Sequence, residues 1–274
     1  MGLQSPVRVA TDGGDVVYVG DSDLNKVVVL KVPHMIPIRE IGIGGAVAGI
    51  AASAGRVYVG NQTLGRIEVY DTLGNFEFVL GGLGVHIPDP TELEVDPEQE
   101  LLFAVDASAK TVWVFSLVGT GSLIRAISGP GLTCEEFQHP TGLTLDRLTH
   151  EVFVADFGSI DDSVGPRVSI FGYDGTFHDV VWGSGGAQGY HFSKPQGIVL
   201  GESGHVFVVD AWLGKVVVMD RVTCQPVATI GQFGTNPGEL RLPLDLVIHG
   251  DAKDLYVVSN QTRSIQAYPA GGTR

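Results

Sequence analysis

Cysteine is scarce in this 274-residue chain, which contains only Cys134 and Cys224. They fall at different places in the repeats described below, so the sequence predicts two unpaired thiols rather than a disulfide or a cysteine-based metal site. No stretch approaches the roughly 18–20 consecutive apolar residues of a membrane-spanning helix. The first residues, Met1 to Gln4, lack the basic region and apolar core of a signal peptide, which leaves localisation open.

Positive charge is also in short supply. The chain has 17 Lys and Arg against 31 Asp and Glu, for a net charge of −14. Binding to a phosphate backbone requires clustered Lys and Arg, so this balance argues against a nucleic-acid partner. It favours solubility and basic or metal-bearing partners.

A short apolar stretch occurs six times. Each copy has four mostly β-branched or aromatic residues followed by a small turn-forming residue, which is typical of a buried strand. The copies are Val17–Asp21, Val57–Asn61, Leu102–Asp106, Val152–Asp156, Val206–Asp210 and Leu255–Ser259. Their spacing of 40 to 54 residues predicts a propeller with one four-stranded sheet per repeat.

Five of the repeats open with a proline that precedes a short apolar run: Pro6, Pro90, Pro140, Pro195 and Pro243. Proline is tolerated at the first residue of a strand, so this run is predicted to be strand a and the repeated stretch strand b. Strands c and d follow, and a Gly-rich connector leads to the next repeat. The sequence predicts one domain over 1–274, with repeats at about 3–45, 46–88, 89–138, 139–193, 194–241 and 242–270.

The fourth repeat carries the clearest motif. It reads Phe-Gln-His-Pro-Thr-Gly-Leu-Thr-Leu-Asp over 137–146, then Val152–Asp156, then Arg-Val-Ser-Ile-Phe over 167–171. This pattern resembles the NHL repeat family, and the resemblance extends over nearly the whole chain. It implies a six-bladed propeller and says little about function. Together with the acidic balance, it favours a bacterial protein that acts outside the cytoplasm, in the periplasm or extracellularly.

The last repeat is short. From Pro243 to Tyr268 it has room for strands a, b and c, but little for d. We therefore expect a three-stranded last blade with an exposed edge, and a chain that belongs to a longer protein or complex.

The connectors from d to a and the loops from b to c share one end of a propeller, called here the loop face. The polar residues that end the b strands, such as Asp156, lie there and could form a cation-binding ring. Their repetition favours a structural role instead, in which each side chain caps its own turn.

Three histidines in consecutive connectors, His86, His139 and His191, could hold Zn²⁺ or Ca²⁺ at the channel mouth. Some NHL-like amidating lyases hold a metal in this channel, but their ligand motifs are not matched here. The alternative for His139 is packing against a neighbouring blade.

Charged residues occupy the position two after the leading proline in three repeats: Arg8, Glu92 and Asp245. The same position is Gly142 and Gly197 in repeats four and five, as suits crowded inner strands. Buried charges require partners or a ligand. We expect Arg8 and Asp245 to pair where the ring closes, and Glu92 has no evident partner.

The longest loop from b to c, over 157–166, carries Asp161 and Asp162, and Trp212 lies in the corresponding loop of repeat five. Long loops and exposed tryptophans are frequent in binding surfaces. A solvated loop and a Trp packed on the next blade are equally compatible with the sequence.

The sequence therefore predicts an all-β, six-bladed propeller. The absence of a recognisable catalytic motif favours a non-catalytic module, without a cofactor, that binds a protein or peptide through its loop face. The alternative is a metal-dependent lyase or hydrolase using His86, His139 and His191. RNA binding, known for some animal NHL proteins, conflicts with the charge.

Overall fold

The computed structural model describes residues 2–129, 131, 133, 135–159, 164–182, 192–201, 204–223, 225–249 and 254–269. The predictions for Cys134, Cys224, Asp161, Asp162 and His191 fall outside these residues. All regular secondary structure in the described part is β, arranged as six antiparallel sheets. The predicted six-bladed propeller is therefore confirmed. Within the same ranges there is no helix long and apolar enough to cross a membrane.

The first three blades have four strands each. Blade one contains β1 (Pro6–Thr11), β2 (Val16–Asp21), β3 (Lys26–Lys31) and β4 (Ile36–Gly42). Blade two contains β5 (Val47–Ser53), β6 (Arg56–Asn61), β7 (Arg66–Asp71) and β8 (Phe76–Val79). Blade three contains β9 (Pro90–Asp96), β10 (Leu101–Asp106), β11 (Thr111–Ser116) and β12 (Ser122–Ile127).

The remaining blades differ in their number of strands. Blade four contains β13 (Pro140–Asp146), β14 (Glu151–Asp156), β15 (Arg167–Gly172) and β16 (Phe177–Trp182). Blade five contains β17 (Pro195–Leu200), β18 (His205–Asp210), β19 (Lys215–Asp220) and β20 (Pro226–Ile230). Blade six contains β21 (Pro243–His249), β22 (Asp254–Ser259) and β23 (Ser264–Pro269), so the expected three-stranded sheet is confirmed.

Apolar packing between neighbouring blades forms the core. Each sheet is covered on both faces by its neighbours, and the b strands are therefore apolar on both faces and almost completely buried. In the first interface, Tyr18 and Ile41 of blade one pack against Ile50 of blade two. In the last, Tyr256 and Val258 of blade six pack against blade one, which closes the ring.

The a strands surround the central channel. Because each runs antiparallel to b, it begins at the loop face and ends at the opposite face, called here the turn face, where the a–b turns lie. The positions two and four after the first residue of strand a therefore lie at successive levels along the channel. In β9 these positions are Glu92 and Glu94.

Candidate functional site

The polar residues that end the b strands stabilise the loop face. Asp210 accepts hydrogen bonds from the backbone N–H groups of Ser193 and Lys194 in the connector before β17, and from Trp212 and Leu213 in the turn after β18. Asp21, Asp106 and Asp156 bind their connectors and turns in the same way. All are fully buried. The structural interpretation of this ring is confirmed, because its oxygens are used by backbone donors.

Blade four adds a buried cation to this arrangement. The guanidinium of Arg167, at the start of β15, lies 3.2 Å from the Asp156 carboxylate, and both side chains are fully buried. It also donates to the carbonyl oxygens of Thr133 and Glu136 in the connector before β13. The sequence around Arg167 gives no sign of this role, because two of its partners come from a connector more than 30 residues away.

Arg8 crosses the central channel. Its guanidinium donates to the carbonyl oxygens of Thr91 in blade three, Thr141 in blade four and Leu244 in blade six, the last two at 2.9 and 3.2 Å. Only 5 % of the residue is exposed. These acceptors lie one residue closer to the loop face than Glu92 and Asp245, so Arg8 closes the channel on that side.

The partner of Arg8 differs from the expected one. Its Nε lies 3.2 Å from Oε2 of Glu92, whereas Asp245 accepts a 2.8 Å hydrogen bond from the backbone N–H of Val9. The expected Arg8–Asp245 pair is thus replaced by an Arg8–Glu92 pair across the ring. The Asp245 carboxylate is turned toward the backbone N–H of Val9, while the Arg8 side chain extends across the channel to Thr91 and Glu92.

Both carboxylates are strongly affected by burial. Glu92 is 6 % exposed and Asp245 is 3 % exposed. Burial and the nearby Asp245 carboxylate raise the pKa of Glu92 well above its usual range, and Arg8 only partly opposes this. Burial likewise raises the pKa of Asp245 to about 6. The middle of the channel therefore holds acids that release their protons less readily than acids in water.

Blades four and five have glycine where blades one, three and six place Arg8, Glu92 and Asp245. The neighbouring inner strands leave no space there for a side chain. A Cβ at Gly142 would lie 2.2 Å from the carbonyl oxygen of Gln196, and one at Gly197 would lie 2.4 Å from Oδ1 of Asp245. The expected crowding of the inner strands is confirmed.

A cavity of about 830 Å³ lies on the turn-face side of Arg8, and we call it the funnel. Its lining extends from Glu92 and Asp245 to residues of the a–b turns, including Asp12, Pro97 and Gly201. Its volume falls within the range typical of small-molecule sites. The funnel opens on the turn face, opposite the loop face for which the sequence predicts the candidate sites.

Glu94 and Arg147 face each other in the funnel. The guanidinium of Arg147, in the turn after β13, lies 3.2 Å from Oε1 of Glu94 and donates to the carbonyl oxygen of Val95. The Glu94 side chain is 27 % exposed. Burial is the main cause that raises its pKa to about 7, while Arg147 and Thr144 favour the charged form. The sequence signal that could have identified Glu94 is its position, since it is a second charged residue two places after Glu92 in an inner strand.

The histidines predicted as metal ligands lie in different surroundings. His139 stacks on Phe157, and its Nδ1 lies 2.6 Å from the carbonyl oxygen of Gly158. His86 is exposed and lies against Gly65. Among the residues that the structure describes, no group of three or more His, Cys, Asp or Glu side chains is arranged to hold a metal ion. His191 falls outside those residues, so the triad stays a prediction.

Aromatic and cationic side chains alternate on the loop face. Trp212 is 64 % exposed, and the Lys194 ammonium lies 5.2 Å from the ring centre of Phe157 and 5.5 Å from that of Trp212. Phe233, also largely exposed, lies against Gly214 in the same turn as Trp212, and the Arg241 guanidinium lies 5.7 Å from its ring centre. We call these five side chains the loop-face patch. Trp212 is therefore exposed rather than packed on the next blade, and its role in binding stays a prediction.

Comparison with known proteins identifies the fold alone. No protein-family model matches the chain, and no curated protein matches it in sequence. Among solved structures, Kuenenia stuttgartiensis hydrazine synthase matches with a TM-score of 0.71 and 10% identity, covering 99% of this chain and 97% of that one. A Xanthomonas campestris gluconolactonase matches with a TM-score of 0.71 and 15% identity over 98% and 86%. A chain of a nidogen/laminin complex matches with a TM-score of 0.64 and 19% identity over 82% and 79%. At such identities these proteins share the six-bladed propeller with this chain, and no function follows.

Proposed function

We propose that this propeller is a non-catalytic module that binds a protein or peptide partner through the loop-face patch. The observation that carries the proposal is the exposed Trp212, whose backbone N–H is fixed by a 3.1 Å hydrogen bond to the buried Asp210. A large aromatic side chain on a rigid turn loses little freedom on binding and is a frequent energetic centre of interfaces.

The chemistry of the patch indicates what the partner offers. Lys194 and Arg241 place two cations beside exposed aromatic rings on a protein whose net charge is −14. A partner segment with an apolar side chain for Trp212 and a carboxylate for Lys194 or Arg241 fits this patch. Arg8, Glu92 and Asp245, the other candidates for partner contacts, are buried in the channel and out of reach of a protein surface.

The proposal is tested with a displayed random-peptide library selected against the intact protein. Affinities of the selected peptides are then measured for wild type, Trp212→Ala and Leu148→Ala. Leu148 is 95 % exposed on the turn face and serves as the matched control. We expect W212A to weaken binding at least tenfold, since removing such a centre costs about 2 kcal/mol or more, and L148A to leave it unchanged. Equal binding to wild type and W212A would contradict the proposal.

The metal-dependent lyase or hydrolase remains a second candidate because of one observation. Nδ1 of His139 is bonded to a backbone carbonyl, which orients the ring as in many metal-ligating histidines and leaves Nε2 as the ligand atom. Elemental analysis of protein purified without chelator or affinity tag tests it. One equivalent of zinc or calcium that is lost in His139→Ala would favour the enzyme.

Membership of the NHL repeat family is part of the same proposal. The motif of the fourth repeat supports it, as does the order of four antiparallel strands in five of the six blades. A bacterial origin and a location outside the cytoplasm rest on that resemblance and on the acidic balance of the chain. Fractionation of the cells that produce the protein tests the location.

A further inference from the structure

We propose that the funnel is a second binding site, separate from the loop-face patch, and that its ligand is a small organic cation with an apolar body, such as a protonated primary amine. Such a ligand would enter from the turn face with its ammonium group leading. The argument rests on the closure of the cavity, on its charges and on its walls, and none of these depends on the proposed function of the loop face.

The funnel is closed at its inner end. Arg8 spans the channel and is fixed by carbonyl oxygens of blades three, four and six. A molecule entering between the a–b turns therefore cannot pass through the ring. It would come to rest at the level of Glu92 and Asp245, the innermost charged groups of the lining.

The charges around the cavity do not balance within it. Four carboxylates, those of Asp12, Glu92, Glu94 and Asp245, are in the lining, and two guanidiniums contact the Glu92 and Glu94 carboxylates. Arg8 pairs with Glu92 and Arg147 pairs with Glu94. Asp245 accepts a hydrogen bond from the backbone N–H of Val9 and, among the described residues, has no cation of its own, because the nearby Arg8, which favours its charged form, is paired with Glu92. A carboxylate with 3 % exposure attracts a cation strongly, because little water competes for it.

The residues that line the funnel favour an organic cation over a metal ion as its ligand. Within the described ranges, no three His, Cys, Asp or Glu side chains converge as a metal requires. Between the inner acids and the opening, the lining includes the partly exposed apolar residues Val199, Leu200, Val247 and Ile248. A cavity of about 830 Å³ with such walls suits a molecule that combines one ammonium group with a hydrocarbon body.

The experiment uses n-hexylamine as the probe, with n-hexanol and hexanoate as neutral and anionic probes of equal length. Binding to the intact protein is measured by calorimetry and by ligand-observed NMR at pH 8, for wild type and Asp245→Asn. We expect hexylammonium to bind more tightly than hexanol or hexanoate, and D245N to weaken it at least tenfold. W212A, on the other face, should bind the amine as wild type does.

Three results would overturn the proposal: no amine binding by wild type, equal binding of amine and alcohol, or equal amine binding by wild type and D245N. If D245N does not fold, as judged by circular dichroism, Glu94→Gln decides instead. Its side chain is partly exposed, so this change should be tolerated while weakening the amine about threefold or more. An unchanged affinity in a folded E94Q would then overturn the proposal. Loss of amine binding leaves the peptide result for W212A unaffected, so failures of the two proposals are distinguishable.

Discussion

Arg8 and Glu92 join blade one to blade three through an ion pair of 3.2 Å at the centre of the ring. Both residues are almost fully buried, and the same guanidinium also contacts backbone oxygens of blades four and six. A single side chain thus links four of the six blades and separates the funnel from the loop face.

Replacing Arg8 with methionine should destabilise the protein by about 3–5 kcal/mol at neutral pH. The change keeps the length of the side chain but removes the cation beside the buried Glu92 and the donor to backbone oxygens of blades three, four and six, which is the costly way to break a buried pair. The measurement is the free energy of unfolding from urea denaturation.

The double variant R8M/E92Q provides the control for this prediction. It removes the buried charge together with its partner, so part of the lost stability should return. A loss below about 1 kcal/mol in R8M, or no recovery in the double variant, would show that the ion pair contributes little to ring closure.

The second prediction concerns pH. Burial raises the pKa of Glu94 to about 7 from an ordinary value of 4.5, so the folded protein holds this proton more tightly than the unfolded chain does. Its contribution to stability is therefore complete below about pH 4.5 and is lost as the pH rises through 7. Glu94→Gln does not titrate and avoids this loss.

The melting temperature of E94Q relative to wild type should therefore increase between pH 5 and pH 8, by about 2 °C or more. The charges that act on Glu94 come from Arg147, Glu92 and Asp245, and all three are retained in both proteins. The raised pKa of Asp245, about 6, makes stability fall with pH in the same direction. Because both proteins contain Asp245, its effect largely cancels in the difference between their melting temperatures. Calorimetry at pH values from 5 to 8 measures the two melting temperatures. A difference between E94Q and wild type that stays level or shrinks as the pH rises would contradict the prediction.

Asparagine should be far less tolerated at position 156 than at position 106. Both aspartates are fully buried and accept backbone hydrogen bonds, and an amide oxygen can still accept several of them. The natural asparagine at the equivalent Asn61 accepts from the backbone N–H of Leu64 in this way. Asp156 additionally neutralises the buried Arg167.

We therefore expect Asp156→Asn to cost at least about 2 kcal/mol more than Asp106→Asn, because it removes the carboxylate beside a fully buried guanidinium. Chemical denaturation of the two variants under identical conditions gives the difference. Similar losses at both positions would mean that the Arg167–Asp156 pair adds nothing beyond the backbone hydrogen bonds.

Local patterns in the sequence were sufficient for the fold. Stretches such as Val152–Asp156 repeat at a regular spacing, and a run of β-branched and aromatic residues indicates a strand that is covered on both faces. The three-stranded last blade followed from the number of residues after Pro243. The role of Asp156 and its equivalents followed from their repetition, since a group that every blade needs is structural.

The charged residues at the centre were recognisable, but their partners were not. The sequence singled out Arg8, Glu92 and Asp245 because other repeats have glycine at their position. The adjacency of blades one and six suggested an Arg8–Asp245 pair, whereas Arg8 pairs with Glu92. The salt bridge depends on reach across the ring, which is set by the channel diameter and by strand tilt. Glu94 and Arg147 belong to different blades, and nothing local to either residue indicates the contact.

The sequence by itself determined the six blades, their strand order and the residues that end each b strand, because these depend on short-range periodicity and turn chemistry. Only the tertiary structure decided that Arg8 closes the channel, that the cavity opens on the turn face and that Trp212 is exposed beside Lys194. Those features arise where side chains from distant repeats converge on one axis or one surface, and long-range distances of that kind leave no periodic signal in the chain.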